Sequence, residues 1–236
     1  MASQVALVTG ATAGIGRAIA SALGREGYRV GVIARTAARI DQAVADLERD
    51  GVMAAGAAAD VGDPGQVAAA VERIVGRLGP VHTLVNNAGV GYLKPLIELS
   101  LEEWDRTMAT NLRSLYLMTR AVLPGMLERR DGAVVNIASL AGRNPLAGGT
   151  AYSASKHAVL GFSKSLMLEV RKQGVRVVAI CPGSVDTGFG ADRTVPRVSH
   201  SGLLHPEDVA QVVIDALKLP ANALMSEIDL RPANPA

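Results

Sequence analysis

The sequence predicts an α/β fold: one parallel sheet of seven strands, doubly wound so that helices cover both faces. Three observations predict it. Short β-branched runs alternate with longer helical stretches along the chain. The helical stretches are mostly bounded by Gly or Pro. About half of the 236 side chains are apolar, enough for one sizeable core with little left for a second, substrate-binding domain. The expectation is therefore a single domain over 1–236.

Taken in order, the first strand is read at 5–9 and runs through a glycine-rich turn into a helix at 16–24. A strand at 29–33 leads to a helix at 38–50. The third strand, near 53–59, carries the weakest signal because it is alanine-rich. A helix at 64–78 opens on Pro64, a strand follows at 81–85, and a long helical pattern covers 101–127. The fifth strand, at 133–137, is followed by a helix at 152–173, a strand at 175–180 and a helix at 206–219. A last strand near 224–230 alternates apolar and polar residues. This alternation of strand and helix calls for helices on both sheet faces. The stretch 183–204 is long, turn-rich and aperiodic, and is read as a substrate lid.

Composition excludes several function classes. The formal net charge of +2 is spread without long basic runs, and only two Phe and one Trp are present. Neither a phosphate-tracking groove nor base-stacking platforms are indicated, so nucleic acid is not an expected partner. No apolar stretch approaches the roughly 20 residues of a membrane span, and Met1 to Gly10 runs straight into a strand pattern. A cytoplasmic protein that does not enter membranes is expected. Cys181 is the one cysteine, which rules out an internal disulfide and a cysteine-rich zinc site. His82, His157, His200 and His205 lack ligand spacing, so no metal site is expected. Cys181 itself follows an apolar strand with no base beside it in sequence, and is read as a packed core residue rather than a nucleophile.

The first strand ends at Thr9 and continues Gly10-Ala11-Thr12-Ala13-Gly14-Ile15-Gly16 into a helical pattern. Glycines there let backbone approach a pyrophosphate at a helix N-terminus. Glycine is about a tenth of this chain, so a plain tight turn is the alternative. The threonine-led order T-G-x-x-x-G-x-G decides between them, because at this N-terminal place it resembles the short-chain dehydrogenase/reductase family. That resemblance implies a Rossmann-type fold and hydride exchange between a nicotinamide dinucleotide and a carbonyl or alcohol. The cofactor-binding residues it implies at this turn are Gly10, Thr12, Ala13, Gly14, Ile15 and Gly16.

The second strand ends Ile33-Ala34-Arg35-Thr36, roughly 20 residues past the glycines, where an NAD enzyme offers a carboxylate to the ribose hydroxyls. Arg35 and Thr36 instead suit a 2′-phosphate, which favours NADP(H). The alternative is a solvated arginine and a helix-capping threonine. Many NADP-using relatives also carry a basic residue just before the second glycine; Ala13 stands there, so NAD(H) stays open as a second cofactor. Asp60 and Val61 resemble the adenine-flanking segment of the family. Asn86-Asn87-Ala88-Gly89 resembles the segment closing its fourth strand, and Asn87, Ala88 and Gly89 are assigned to the cofactor on that basis.

Tyr152 and Lys156 stand four apart on a predicted helix, which puts both side chains on one face, within reach of a common ligand. As hydride reaches a ketone its oxygen gains charge, and a phenol can serve as the proton donor. Its ordinary pKa near 10 is high for that work, and an ammonium about 5 Å away at an effective dielectric of about 20 would stabilise the phenolate by about 3 kcal/mol. Alone, such a pair is common on exposed helix faces. In the family the lysine also holds the nicotinamide ribose, so Tyr152 and Lys156 count as catalytic and cofactor-binding. Ser139, 13 positions before Tyr152 and placed at the end of the fifth strand, matches the family serine that orients the carbonyl. Asn111 resembles the family asparagine that retains a water linking the lysine to solvent, with an exposed polar helix residue as the alternative. Pro182, Gly183, Val185 and Thr187 resemble the turn beside the nicotinamide.

The same resemblance implies a homo-oligomer, dimer or tetramer, formed through the helices at 101–127 and 152–173. The ending Glu227-Ile228-Asp229-Leu230-Arg231-Pro232 resembles the NADP-dependent 3-hydroxy acid and short-chain alcohol dehydrogenase branch. A small carbonyl compound is the expected substrate, in a pocket lined by Val90, Leu93, Leu140, Leu146 and Val185. A ketoacyl thioester on an acyl carrier protein is the alternative, with Arg129, Arg130, Arg171 and Lys172 as candidate carrier contacts or, equally, helix C-terminal charges. A non-catalytic NADP(H) sensor is an alternative of another class, disfavoured because Asn111, Ser139, Tyr152 and Lys156 are all present.

Overall fold

Seven parallel strands form one sheet in the order β3-β2-β1-β4-β5-β6-β7 in the computed structural model, which describes residues 4–189 and 202–234. The strands are β1 (Val5–Thr9), β2 (Arg29–Ala34), β3 (Ala54–Ala58), β4 (Val81–Asn86), β5 (Gly132–Ile137), β6 (Val175–Pro182) and β7 (Glu227–Leu230). Strand order reverses between β1 and β4, so the connections leaving their carboxyl ends diverge and open a crevice there. The central strands are apolar on both faces, with Val5, Leu7, Val8, Leu84, Val85 and Val134 fully buried.

Helices cover each face. Helix α1 (Gly14–Arg25) and α7 (Pro206–Lys218) pack on each other over one side, together with α2 (Ala37–Arg49). Helices α3 (Pro64–Leu78), α5 (Ser114–Arg129) and α6 (Thr150–Val170) cover the other. The alanine-rich third strand has a packing reason. A Cβ at Gly56 would come 2.2 Å from Ile40 Cγ2 of α2, while Ala55 and Ala57 belong to the core under α3. Small side chains let two helices close on this strand, and they are what weakens its signal in the sequence.

The helical pattern over 101–127 is not one helix. Helix α4 (Leu101–Met108), which opens on a Ser100/Glu103 capping box, passes into a π-helical turn at Ala109–Arg113 before α5 begins. Ser139 lies two residues beyond the end of β5 and caps a short 3₁₀ turn, Leu140–Gly142, rather than closing the strand. The last strand is shorter than 224–230, since its ladder to β6 begins at Ser226, whose carbonyl accepts from the Ala179 amide at 2.9 Å. The predicted helix at 152–173 begins two residues earlier and ends at Val170, followed by a 3₁₀ turn. Of the stretch 183–204, residues 190–201 lie outside the described residues. Among the described residues no helix is long and apolar enough to cross a membrane.

Candidate active site

The glycine turn between β1 and α1 is built around Thr9. Its buried hydroxyl accepts from the amides of Asn87 and Ala88, both at 3.0 Å, so one side chain joins the ends of β1 and β4. Asn87 returns the bond: its Nδ2 donates to the carbonyls of Thr9 (3.0 Å) and Gly10 (3.3 Å). A Cβ at Gly16 would lie 2.4 Å from Asn87 Nδ2 and from the Gly10 carbonyl oxygen, so the helix start can close on the turn only with glycine there. Gly10 and Gly14 take left-handed φ of 66° and 51°.

The N-terminus of α1 has no side-chain cap from Ala13 and no acidic residue in its first turn. Its orphan amides and positive dipole end therefore suit an anion. Thr12 and Ile15 are half-buried beside it. At the end of β2, Arg35 is exposed and makes no ion pair among the described residues. Thr36 precedes α2 without a capping side-chain bond, which removes the capping alternative for its hydroxyl. Asp60 Oδ1 accepts from the Gly62 amide at 2.9 Å and shapes the turn into α3, while Val61 is buried in the core.

On the other side of the crevice stand the acid–base candidates. Tyr152 and Lys156 share a face of α6, with Lys156 Nζ 5.8 Å from the Tyr152 ring centre. Lys156 is only 5 % exposed and donates to the Ile137 carbonyl oxygen at 2.8 Å. Burial pushes its ammonium down to about 8. Gly89 adjoins both Asn111 and Lys156, since a Cβ there would make ordinary contact with Asn111 Oδ1 at 3.4 Å and Lys156 Nζ at 3.8 Å. The half-buried Ser139 accepts from the Ala141 amide at 3.1 Å, and this cap bond leaves its proton available.

Asn111 is fully buried in the π turn, not exposed on a helix. Its amide donates to the Val90 carbonyl (2.8 Å) and Ser155 Oγ (3.0 Å), while Oδ1 accepts from the Val90 amide at 2.8 Å. Ser155 in turn donates to the Tyr152 carbonyl at 2.7 Å. The chain widens into a π turn where a side chain must satisfy a neighbouring loop and helix at once.

After β6, the Gly183 amide donates to the Leu230 carbonyl at 2.8 Å, and Val185 pairs with Leu204. Thr187 comes back over the glycine turn, close enough that a Cβ at Gly14 would meet its methyl at 3.2 Å. Phe189 lies 5.7 Å from Tyr152 between ring centres, and both pack on Gly91. Neither Phe189 nor Ser155 stood out in the sequence. The signal for Ser155 is its place between Tyr152 and Lys156, whereas nothing local marks Phe189. Of the expected pocket residues, Val90, Leu93, Leu140 and Val185 are partly buried, and Leu146 is 48 % exposed at the rim. Cys181 is fully buried and burial pushes its thiol up, as a core residue requires. No group of side chains among the described residues could hold a metal ion.

Comparison with known proteins agrees with this geometry. The profile of the family described as short chain dehydrogenase matches residues 4–196. The chain is 38% identical to 3-oxoacyl-acyl-carrier-protein reductase FabG of Pseudomonas aeruginosa, covering 89% of this chain and 88% of that protein. It is 39% identical to D-threitol dehydrogenase of Mycolicibacterium smegmatis, with 96% and 90% covered. Among solved structures, a variant of actinorhodin polyketide ketoreductase with NADPH superposes with a TM-score of 0.90 at 38% identity, covering 98% of this chain and 96% of that one. The glycine turn, the Tyr-x-x-x-Lys helix and these matches together make the chain a member of the short-chain dehydrogenase/reductase family, a Rossmann-type oxidoreductase.

Proposed function

We propose that the protein is an NADP(H)-preferring reductase and dehydrogenase that interconverts a small carbonyl compound and its alcohol, with Tyr152 as acid and base. The observation that carries the reading is the buried Lys156 ammonium, tied to the end of β5 beside the Tyr152 ring. A positive charge there holds the phenolate that remains after proton donation. Ser139 hydrogen-bonds the carbonyl oxygen and orients it. The Asn111 side chain, engaged by Val90 and Ser155, holds the π turn in shape, and at that place the residue retains a water linking Lys156 to solvent.

When bound, the dinucleotide supplies or accepts the hydride. The residues fit it: Gly10, Thr12, Ala13, Gly14, Ile15 and Gly16 offer a glycine turn and the uncapped amides of α1 to its pyrophosphate. Arg35 and Thr36 are free to take the 2′-phosphate. Asp60 and Val61 flank the adenine, and Asn87, Ala88 and Gly89 line the floor. Lys156 binds the nicotinamide ribose, and Pro182, Gly183, Val185 and Thr187 border the carboxamide. The described ends of 183–204 serve as the base of a lid, with Phe189 already against Tyr152. NADP(H) also accompanies the actinorhodin ketoreductase and a Thermococcus sibiricus alcohol dehydrogenase complexed with 5-hydroxy-NADP, the latter 31% identical.

A ketoacyl thioester is the second reading for substrate, favoured by the similarity to ketoacyl reductases. The basic residues weighed for a carrier do not favour it within one chain. Arg129 donates to the Val81 carbonyl and Arg130 to the Lys172 carbonyl, both at the amino ends of the strands, across the sheet from Tyr152. A homo-oligomer goes with α5 and α6, which leave the large apolar side chains Tyr116 and Leu168 exposed. The test is titration with NADPH and NADH, then absorbance-monitored turnover on small ketones, keto acids, aldehydes and acetoacetyl thioesters. Tight NADPH binding with Tyr152-dependent turnover of one class supports the reading. Binding without turnover of any class counts against it.

A further inference from the structure

Ser139 sits on a turn gripped from two sides. The turn is tight: Ala141 donates to Ser139 Oγ at 3.1 Å, Gly142 to the Ser139 carbonyl at 2.9 Å, and Arg143 and Asn144 to the Leu140 carbonyl at 2.9 and 2.8 Å. On one side it abuts α6 backbone to backbone. A Cβ at Gly142 would stand 2.6 Å from the Lys156 carbonyl oxygen and 2.9 Å from its carbon, contacts no side-chain rotation can relieve.

On the other side it is tied to the last strand. Glu227 and Asp229 stand two apart on β7 and so project from one face. Arg143 spans them, Nε donating to Asp229 Oδ1 at 2.6 Å and Nη2 to Glu227 Oε2. Glu227 also meets Lys164 of α6 at 3.1 Å, and Arg231 lies 3.7 Å from Asp229. The Glu227 side chain is 16% and that of Arg143 32% exposed, while Lys164 and Arg231 are more than half exposed, so the hold lies in the two-pronged geometry of Arg143 on Glu227 and Asp229.

We propose that Gly142 and Arg143 are positioning residues for Ser139: Gly142 sets how closely the serine turn approaches the Lys156 backbone, and Arg143 anchors that turn to Glu227 and Asp229. This rests on the catalytic reading above. A four-residue edge strand with no reacting group thereby fixes one member of the site.

The experiment is a double-mutant cycle. Wild type, Gly142→Ala, Arg143→Ala, Arg143→Lys, Ser139→Ala and the doubles with Ser139→Ala are compared, with Gly161→Ala as the control. A Cβ at Gly161, on the same helix α6, meets nothing within 4 Å. NADPH affinity is expected to stay within about twofold throughout, while kcat falls about tenfold or more in Gly142→Ala and Arg143→Ala, with Arg143→Lys between. In the Ser139→Ala background the same changes should cost less than about twofold, because the group they position is gone. A loss that multiplies undiminished in that background overturns the proposal. If Gly142→Ala fails to fold, the Arg143 arm decides by the same criterion. If wild type binds NADPH but turns over no carbonyl, the functional reading has failed, and crystal structures of Gly142→Ala and Arg143→Ala read the placement directly. A displaced Ser139 relative to Lys156 supports it, and an unmoved one overturns it.

Discussion

Lys156 Nζ donates to the Ile137 carbonyl oxygen at 2.8 Å, which ties the middle of α6 to the carboxyl end of β5. The same bond holds a cation in a place where burial disfavours its charge.

That burial gives a pH dependence of definite sign. The folded pKa of Lys156, about 8, lies below the ordinary 10.5, so between those values the unfolded chain binds more protons. The cost of the buried charge is fully present below pH 8 and is relieved as pH rises to 10.5, by an amount on the order of 3 kcal/mol. Urea unfolding of wild type and Lys156→Met should show the variant's relative stability dropping by that order between pH 7.5 and pH 10.5. Parallel profiles would falsify the assignment. Loss of the ammonium also removes support for the phenolate, so kcat/KM for carbonyl reduction should decline as pH rises through about 8.

Tyr152→Phe keeps the ring that packs near Phe189 and Gly91 and removes the ionisable oxygen. Turnover should fall by at least about a hundredfold with NADPH affinity nearly unchanged. Fluorescence titration beside steady-state kinetics checks both halves.

Arg35→Ala should weaken NADPH binding by about tenfold or more, the scale of a charge-assisted phosphate contact, and leave NADH within about twofold. Equal losses for both dinucleotides would place Arg35 away from the 2′-phosphate.

Thr9→Val removes the acceptor shared by the Asn87 and Ala88 amides while nearly preserving shape. Two partly buried donors are left without this acceptor, at up to about 1–3 kcal/mol each. Chemical denaturation should show a loss of a few kcal/mol, and NADPH binding should weaken with it because the glycine turn is held by the same contacts. An unchanged midpoint argues that water replaces the hydroxyl.

Much of the site was legible because its motifs are local. Gly10 and Gly14 take left-handed φ within a single turn, and Tyr152 and Lys156 share a face through helix periodicity alone, whereas Gly16 also answers to Asn87, 71 positions away. Asn111 was legible only by resemblance. Its helical surroundings suggest an ordinary helix residue, and what makes it a buried π-turn residue is Val90, 21 positions away, and Ser155, 44 away. The third strand was faint for a related reason, since its alanines answer to two helices packed on it rather than to strand propensity.

By itself the sequence determined the order of strands and helices, the glycine turn at the first helix and the shared helix face of Tyr152 and Lys156, because these depend on neighbours a few residues apart; Ser139 and Arg35 were marked by their resemblance to the family pattern. The tertiary structure alone decided that Lys156 is buried, that Thr9 joins two strand ends, that Phe189 covers Tyr152 and that Arg143 reaches Glu227 and Asp229. Those pairings join residues brought together by sheet order, where burial and hydrogen-bond satisfaction across the fold, rather than local periodicity, set the free energy.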